Sequence, residues 1–366
     1  MNYKELGFNK AELQFGKNTN YNEILGIIDD IGGIDVVIEN KDVFTPSGNN
    51  FVLSENLIRK TVGNYAKYDC VIGYNIYDEI IPDENNAQYN RALSCIELLN
   101  KYSPNGLKFI NLLPSYNSLY TWDNDTYDDY VSGFIDTFNP QVLSFDYYPY
   151  LMGTEESGSD WWRDLGLFRK ESIEHNIPLW YYYQGYNISE DRPTPTNDEI
   201  KYQMYVGLAY GAKQLSEWLA NYEALTPDGE KTENFEAAKA RNAEIMTVGN
   251  FLFDKKSVAI YQTKDGLFNN PFSDTAKFYL DDISKSSLLN SASNGLILSV
   301  FEDENAKYLL VVNRNTEDSV SGTISLDNSM SISKLNKSAG TEEYVGNSNS
   351  ISLNIAAGGG EVYILK

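Results

Sequence analysis

The chain has 366 residues, and its 29 Lys and Arg against 52 Asp and Glu give a formal net charge of −23. A field of that sign repels nucleic acid, and no apolar run reaches the roughly 18 residues that a membrane span needs. One histidine and two cysteines exclude a multi-histidine metal site, a disulfide framework and a CxxC motif, so we expect His175 in a surface helix turn and Cys70 and Cys95 in the core.

Up to about residue 255, short apolar or aromatic runs alternate with longer amphipathic stretches. This alternation predicts βα units and a parallel sheet. The predicted strands are 10–15, 35–39, 71–77, 108–113, 141–147, 178–183 and 214–218. The predicted helices between them include 20–31, 55–65, 87–101, 126–138, 161–175 and 197–211.

Seven βα units without a Gly-rich phosphate loop favour a (β/α) barrel over a doubly wound sheet. A TIM-type barrel usually has eight strands, and residues 3–9 read as the end of a helix that leads into the strand at 10–15. We therefore expect a barrel that lacks its first strand or closes with seven. From residue 256, short alternating strands with Asn, Gly, Ser and Asp turns predict an antiparallel β-sandwich. The predicted domains are 1–255, the barrel, and 256–366, the sandwich.

Acids, amides and aromatic residues gather at the carboxyl ends of the predicted strands, where a barrel carries its active site, whereas basic residues are absent from those ends. This combination suits an uncharged sugar, because carboxylates accept hydroxyl hydrogen bonds and aromatic rings cover the apolar faces of sugars. The predicted catalytic residues are Glu79 and Asp146. The predicted substrate-binding residues are Asn75, Tyr77, Asp78, Tyr148, Gln184, Glu217 and Trp218.

Hydrolysis of a glycosidic bond needs two carboxyl groups, one protonated and one ionised. Glu79 is the first choice for general acid/base because it ends a strand that reads as buried, and a helix-capping carboxylate is the alternative. Asp78 should point to the opposite side of the chain and orient a neighbour. Asp146 is expected to be the second acid or a substrate contact, with a turn former as the alternative. For Glu217, substrate contact and a structural hydrogen bond stay equally open.

Five segments carry a more specific resemblance. In order and spacing, VIGYNIYDE, KFINLLPSY, VLSFDYYPY, PLWYYYQGY and GLAYGAKQLSEW resemble the successive strands of bacterial β-galactosidase-like glycoside hydrolases of the (β/α)8-barrel superfamily. The C-terminal segments resemble the β-sandwich that follows those barrels. The resemblance implies that Glu79 matches the acid/base glutamate at the strand that would be fourth in a full barrel.

The chain departs from that family at the strand that would be seventh. Retaining members place their nucleophilic glutamate there, whereas this chain has Gln184. An uncharged amide can neither form a glycosyl ester nor deprotonate water. Asp146 is then the best second carboxyl, with Glu217 behind it.

The sequence therefore predicts a glycoside hydrolase that acts on an oligosaccharide or glycan and uses no cofactor or metal. The alternative is a carbohydrate-binding barrel that has lost turnover, which Gln184 and the absent first strand favour. A purely structural role for the barrel is the third hypothesis. Relatives of this type are often exported and no leader is recognisable in these residues, so compartment, oligomeric state and sugar stay open.

Overall fold

The computed structural model describes residues 2–45, 53–122, 126–150, 158–187, 194–218, 220–263 and 278–366. It divides into two compact units, Met1–Asp146 and Tyr147–Lys366. Within the described ranges, no helix is both long enough and apolar enough to cross a membrane. Cys70 and Cys95 are buried free thiols, which confirms their predicted place in the core.

The first unit contains five parallel strands that pair in chain order. The strands are β1 (Lys10–Gln14), β2 (Asp35–Glu39), β3 (Val71–Asp78), β4 (Leu107–Leu112) and β5 (Leu143–Asp146). The helices are α1 (Asn2–Glu5), α2 (Tyr21–Ile31), α3 (Lys41–Phe44), α4 (Glu55–Tyr65), α5 (Ala87–Tyr102) and α6 (Tyr127–Phe138). Because all five strands run the same way, their carboxyl ends meet at one edge of the sheet.

Local sequence explains where these elements begin. Thr126 starts α6 with a capping box, in which its hydroxyl accepts a hydrogen bond from the Asp129 N–H and the Asp129 carboxylate accepts one from the Thr126 N–H. Val36, Val37 and Ile38 of β2 are all buried, as expected for a strand covered on both faces.

The second unit begins with two more parallel strands, β6 (Leu179–Gln184) and β7 (Gln214–Trp218). Its helices are α7 (Gly158–His175), α8 (Asn197–Ala209), α9 (Ala220–Glu223) and α10 (Phe235–Leu252). Predicted and observed strand ends differ by at most two residues in all seven parallel strands. His175 lies in the last turn of α7 with its side chain 42% exposed, as predicted.

An antiparallel sheet completes the second unit. Its strands are β8 (Lys256–Gln262), β9 (Leu289–Ala292), β10 (Leu296–Glu302), β11 (Lys307–Asn313), β12 (Val320–Asn336), β13 (Thr341–Ile355) and β14 (Gly360–Leu365). The strand order is β13-β12-β14-β11-β10-β8, and β9 pairs with β12. Seven parallel strands with intervening helices, followed by an antiparallel domain, confirm the predicted fold class of a TIM-type barrel with a β-sandwich.

Helix α8 joins the two kinds of sheet in the second unit. Every residue from Tyr202 to Ala209 is buried, which identifies a helix covered on all sides. Ser299 of β10 donates a 2.6 Å hydrogen bond to the Ala209 carbonyl at the end of this helix. Packing against α8 explains why β10 and β11 are buried on both faces rather than on one.

Gly358, in the turn between β13 and β14, fits against the first turn of α8. It adopts φ +57°, and a Cβ there would overlap the Asp198 carbonyl. We expect Gly358→Ala to lower the free energy of unfolding by about 2–3 kcal/mol, through backbone strain and the clash together. The control Gly229→Ala, also at positive φ (+82°) but with nothing within 4 Å, should lose only about 1 kcal/mol in the same urea titration. Equal losses would exclude the close approach to α8.

Candidate active site

Among the described residues, four carboxyl groups lie at the carboxyl ends of the strands in the first unit. They belong to Glu39, Asp78, Glu79 and Asp146, which we call the acidic cluster. Glu39 and Asp146 are each 2% exposed, whereas Asp78 and Glu79 reach solvent. The structure thus brings the two predicted catalytic residues to the same edge and gives them different environments.

Lys41 supplies the positive charge beside this cluster. Its Nζ lies 3.0 Å from Glu39 Oε1 and 3.8 Å from Asp78 Oδ2. The expectation that the strand ends lack basic residues is therefore wrong. Lys41 lies near the end of β2 because α3 begins at this residue, only two residues after β2 ends.

Glu79 has an unusual backbone. Its φ is +54°, in the left-handed region that non-glycine residues seldom adopt. The Glu79 N–H donates to the Asn111 carbonyl at 3.0 Å, and the buried Tyr130 hydroxyl donates to the carbonyl of Ile80 at 2.6 Å. These two hydrogen bonds hold the chain on both sides of the strained position.

Opposing influences act on the protonation of Glu79. Desolvation by the surrounding atoms, followed by the charge of Asp78, raises the pKa of Glu79, and the Lys41 ammonium opposes this shift. The side chain still reaches water and a neighbouring cation, so the ionised form is supported as well.

Asp146 lies in a more enclosed place. Asn111 Nδ2 donates a 2.6 Å hydrogen bond to Asp146 Oδ1, and Ser144 Oγ donates to Asn111 Oδ1 at 2.8 Å. Asp146 Oδ2 is buried and has no hydrogen-bond partner among the residues that the structure describes. Burial, followed by the charges of Glu79 and Asp78, raises the pKa of Asp146 well above its usual range, against the opposing Asn111 hydrogen bond.

Asn111 connects both acids, and the sequence did not single it out. The sheet register places Asp78 opposite Asn111 and Asn111 opposite Ser144, across three neighbouring strands. Asn111 is 4% exposed and lies between the apolar pairs Phe109-Ile110 and Leu112-Leu113. A buried amide in such a run is the signal that could have pointed to it, because buried polar groups need specific partners.

Asn75 and Tyr77 precede the acids on β3. Asn75 is 2% exposed, and its Nδ2 donates a 2.7 Å hydrogen bond to Glu12 Oε1 on β1. Tyr77 is half-buried, and burial raises the pKa of its hydroxyl while the charge of Arg91 opposes the shift. The Asn75 side chain therefore connects β3 to β1 through its hydrogen bond with Glu12.

In the second unit, Tyr148 and Trp218 form a stacked pair of rings. Their centroids lie 4.7 Å apart with an interplanar angle of 23°, and both side chains are half-buried. An aromatic face of this kind can cover the apolar side of a sugar ring.

Gln184 is fully buried and hydrogen-bonded through both ends of its amide. Its Oε1 accepts from the Tyr150 N–H at 3.0 Å, and its Nε2 donates to the Tyr186 carbonyl at 3.4 Å. Its backbone N–H and carbonyl both pair with the Gln203 amide of α8 at 3.0 Å. Gln184 thus ties the end of β6 to Tyr150 and Tyr186 through its side chain and to α8 through its backbone.

Glu217 belongs to a buried network that also includes Tyr183, Arg241 and Glu223. Glu217 Oε2 accepts from the Tyr183 hydroxyl at 2.9 Å and lies 3.3 Å from Arg241 Nη2, while Arg241 Nη1 lies 3.4 Å from Glu223 Oε1. The side chains of the three charged residues are 1–3% exposed. Burial raises the pKa of Glu217 to about 7, with the Arg241 guanidinium opposing the shift. Arg241 and Glu223 were missed because both lie beyond β7, away from any strand end.

This network predicts a pH dependence of stability. The folded-state pKa of Glu217 lies above its usual 4.5, so its contribution to stability is present below 4.5 and is lost as the pH rises towards 7. Glu217→Gln lacks this loss. The free energy of unfolding of Glu217→Gln minus that of wild type should therefore increase by up to about 3 kcal/mol as the pH rises from 4.5 to 7. Chemical denaturation across that range measures the difference, and the exposed Glu97→Gln on α5 is the control. Parallel curves for Glu217→Gln and wild type would contradict the assignment.

Comparisons with known proteins bear on the fold of the chain. No family model matches it, and no curated protein does. Solved structures do match over its whole length. They include a catalytic mutant of a GH42 β-galactosidase from G. stearothermophilus (TM-score 0.65, 8% identity, 95% of that chain), a β-galactosidase from Bacillus circulans sp. alkalophilus (0.61, 9%, 96%) and a glycoside hydrolase family 5 protein from Bacteroides vulgatus (0.59, 13%, 83%).

The chain has the fold of glycoside hydrolases. Identities of 8–13% establish that fold alone, without a particular family within it.

Proposed function

We propose that the protein is a glycoside hydrolase that cleaves an oligosaccharide or glycan, with Glu79 and Asp146 as its two carboxyl groups. The observation that carries the proposal is the link through Asn111, which binds the backbone of one acid and the side chain of the other. Two acids at one edge of a sheet, one buried and one solvated, are what two-carboxylate hydrolysis requires.

The backbone strain at Glu79 supports a functional role for this residue. A left-handed glutamate persists only where surrounding contacts enforce it, and such positions cluster at active sites. The unsatisfied Oδ2 of Asp146 points the same way, because a buried polar atom without a partner is unfavourable until a ligand supplies one.

A neutral polyol is the substrate class that fits the charges. The acidic cluster has four carboxyl groups beside one lysine, so it repels phosphorylated or sulfated sugars. In the second unit, the stacked Tyr148 and Trp218 rings offer an apolar surface to a sugar ring. A carbohydrate is accordingly the proposed partner.

Turnover is tested by incubating the protein with aryl glycosides and with plant and host glycans. We expect at least one substrate to be hydrolysed, and Glu79→Gln and Asp146→Asn each to lower kcat/KM on the intact glycan by at least about 100-fold. The matched controls Glu97→Gln and Asp136→Asn, both exposed on helices, should retain wild-type activity. Undiminished activity in Glu79→Gln would remove that residue from the mechanism.

The alternative is a carbohydrate-binding barrel without turnover, and the tightly held Gln184 amide is the observation that favours it. The same screen separates the two functions. A glycan that raises the melting temperature but is never cleaved would support binding alone.

The aromatic pair gives a further prediction. Trp218→Ala should weaken the affinity for a bound glycan about fivefold to tenfold, because stacking of this kind contributes about 1 kcal/mol. Isothermal titration with the glycan from the screen measures the change, and Tyr344→Ala, at a tyrosine 66% exposed in the sandwich, is the control. Equal affinities in Trp218→Ala and wild type would exclude the stacking role.

A further inference from the structure

The two proposed acids share one hydrogen-bonding residue but differ in where a proton can reside. We propose that Asp146 is the general acid and carries its proton on Oδ2, the oxygen that does not accept from Asn111, and that Glu79 is the carboxylate that activates water. This inference rests on the proposed glycosidase function, and it reverses the roles that the family resemblance implies.

The orientation of the Asn111 amide determines which oxygen of Asp146 accepts its hydrogen bond. In the structure, Ser144 Oγ donates to Asn111 Oδ1, which places the oxygen end of the amide towards Ser144. The NH₂ end therefore faces Asp146, at 2.6 Å from Oδ1. An amide NH₂ only donates, so Oδ1 acts as an acceptor in this pair.

The consequence for Asp146 follows from its two oxygens. When the carboxyl group is neutral, Oδ1 already accepts from Asn111 and the proton lies on Oδ2. That oxygen is buried and has no partner within the described part of the chain. A glycosidic oxygen placed beside Oδ2 would accept a hydrogen bond from the protonated carboxyl group. No described protein group acts as that acceptor.

The surroundings of both acids agree with this assignment. The charged and titratable groups around them are Asp78 on β3, Lys41 at the start of α3 and Tyr130 on α6. Asp146 is buried, and its raised pKa favours the neutral form. Glu79 reaches water and the field of Lys41, so it ionises first, and its charge then disfavours ionisation of Asp146 further.

The hydrolytic step balances with these roles. Asp146 Oδ2 gives its proton to the glycosidic oxygen while the bond between that oxygen and the anomeric carbon breaks. Glu79 takes a proton from a water molecule whose oxygen forms the new bond to the anomeric carbon. Water has been added across the glycosidic bond, and the net transfer of one proton from Glu79 to Asp146 restores both groups.

Leaving-group dependence tests the assignment. Two glycosides of the sugar found in the screen are compared. The 2,4-dinitrophenolate leaving group departs without protonation, whereas the methoxide of the methyl glycoside must be protonated by an acid. We expect Asp146→Asn to keep kcat/KM on the dinitrophenyl substrate within about tenfold and to lose at least about 100-fold on the methyl glycoside. Glu79→Gln should lose activity on both. The reverse pattern, with the dinitrophenyl activity retained only in Glu79→Gln, would overturn the proposal.

A second measurement needs no turnover. Infrared spectra at neutral pH report protonated carboxylic acids directly. Glu217, whose pKa is about 7, would add its own band at neutral pH, so the spectra are compared in a Glu217→Gln background. That background should show the band of a protonated carboxylic acid, which disappears when Asp146→Asn is added and persists when Glu79→Gln or the control Glu97→Gln is added. Loss of the band on adding Glu79→Gln instead, or its absence from the background protein, would overturn the assignment. A protein that hydrolyses nothing yet shows the predicted band would refute the proposed function while leaving the protonation of Asp146 in place.

Discussion

The hydrogen bonds of Asn111 are the constraint on which the arrangement of the first unit depends. Its carbonyl holds the N–H of Glu79 in a left-handed conformation, and its amide, oriented by Ser144, holds one oxygen of Asp146. A single buried residue thereby contacts two acids from different strands, Glu79 through its backbone carbonyl and Asp146 through its side chain. Because Asn111 is almost fully enclosed, neither acid can move independently of the sheet.

Each unit combines hydrogen-bonded polar networks with buried polar atoms that have no partner among the described residues, such as Asp146 Oδ2 in the first unit and Glu217 Oε1 in the second. In the second unit, the backbone N–H and carbonyl of Gln184 pair with the side-chain amide of Gln203, and both carboxylates near Arg241 have a charged partner. In the first unit, a buried carboxyl oxygen and a strained glutamate remain at the sheet edge. Backbone strain and unsatisfied buried groups are unfavourable for folding, so the occurrence of both features on neighbouring acids, Glu79 and Asp146, is consistent with a site shaped for a ligand.

The sequence predicts the elements of this protein well because apolar runs of strand length alternate with helical periodicity, and turn residues punctuate the sandwich. Glu79 and Asp146 could be proposed because strand ends are readable from those runs. Asn111 could not, since its role depends on the register between β3, β4 and β5, and Arg241 lies on a helix far along the chain from Glu217. The left-handed turn at Glu79 likewise arises from tertiary hydrogen bonds with Asn111 and Tyr130.

Two-carboxylate hydrolysis requires that Asp146 and Glu79 act on the same glycosidic bond. A crystal structure of Glu79→Gln with an uncleaved oligosaccharide tests this requirement most directly. We expect Asp146 Oδ2 to lie within hydrogen-bond distance, about 2.6–3.2 Å, of a glycosidic oxygen, with residue 79 facing the adjoining anomeric carbon. An oligosaccharide bound away from Asp146, or with no glycosidic oxygen near Oδ2, would contradict it.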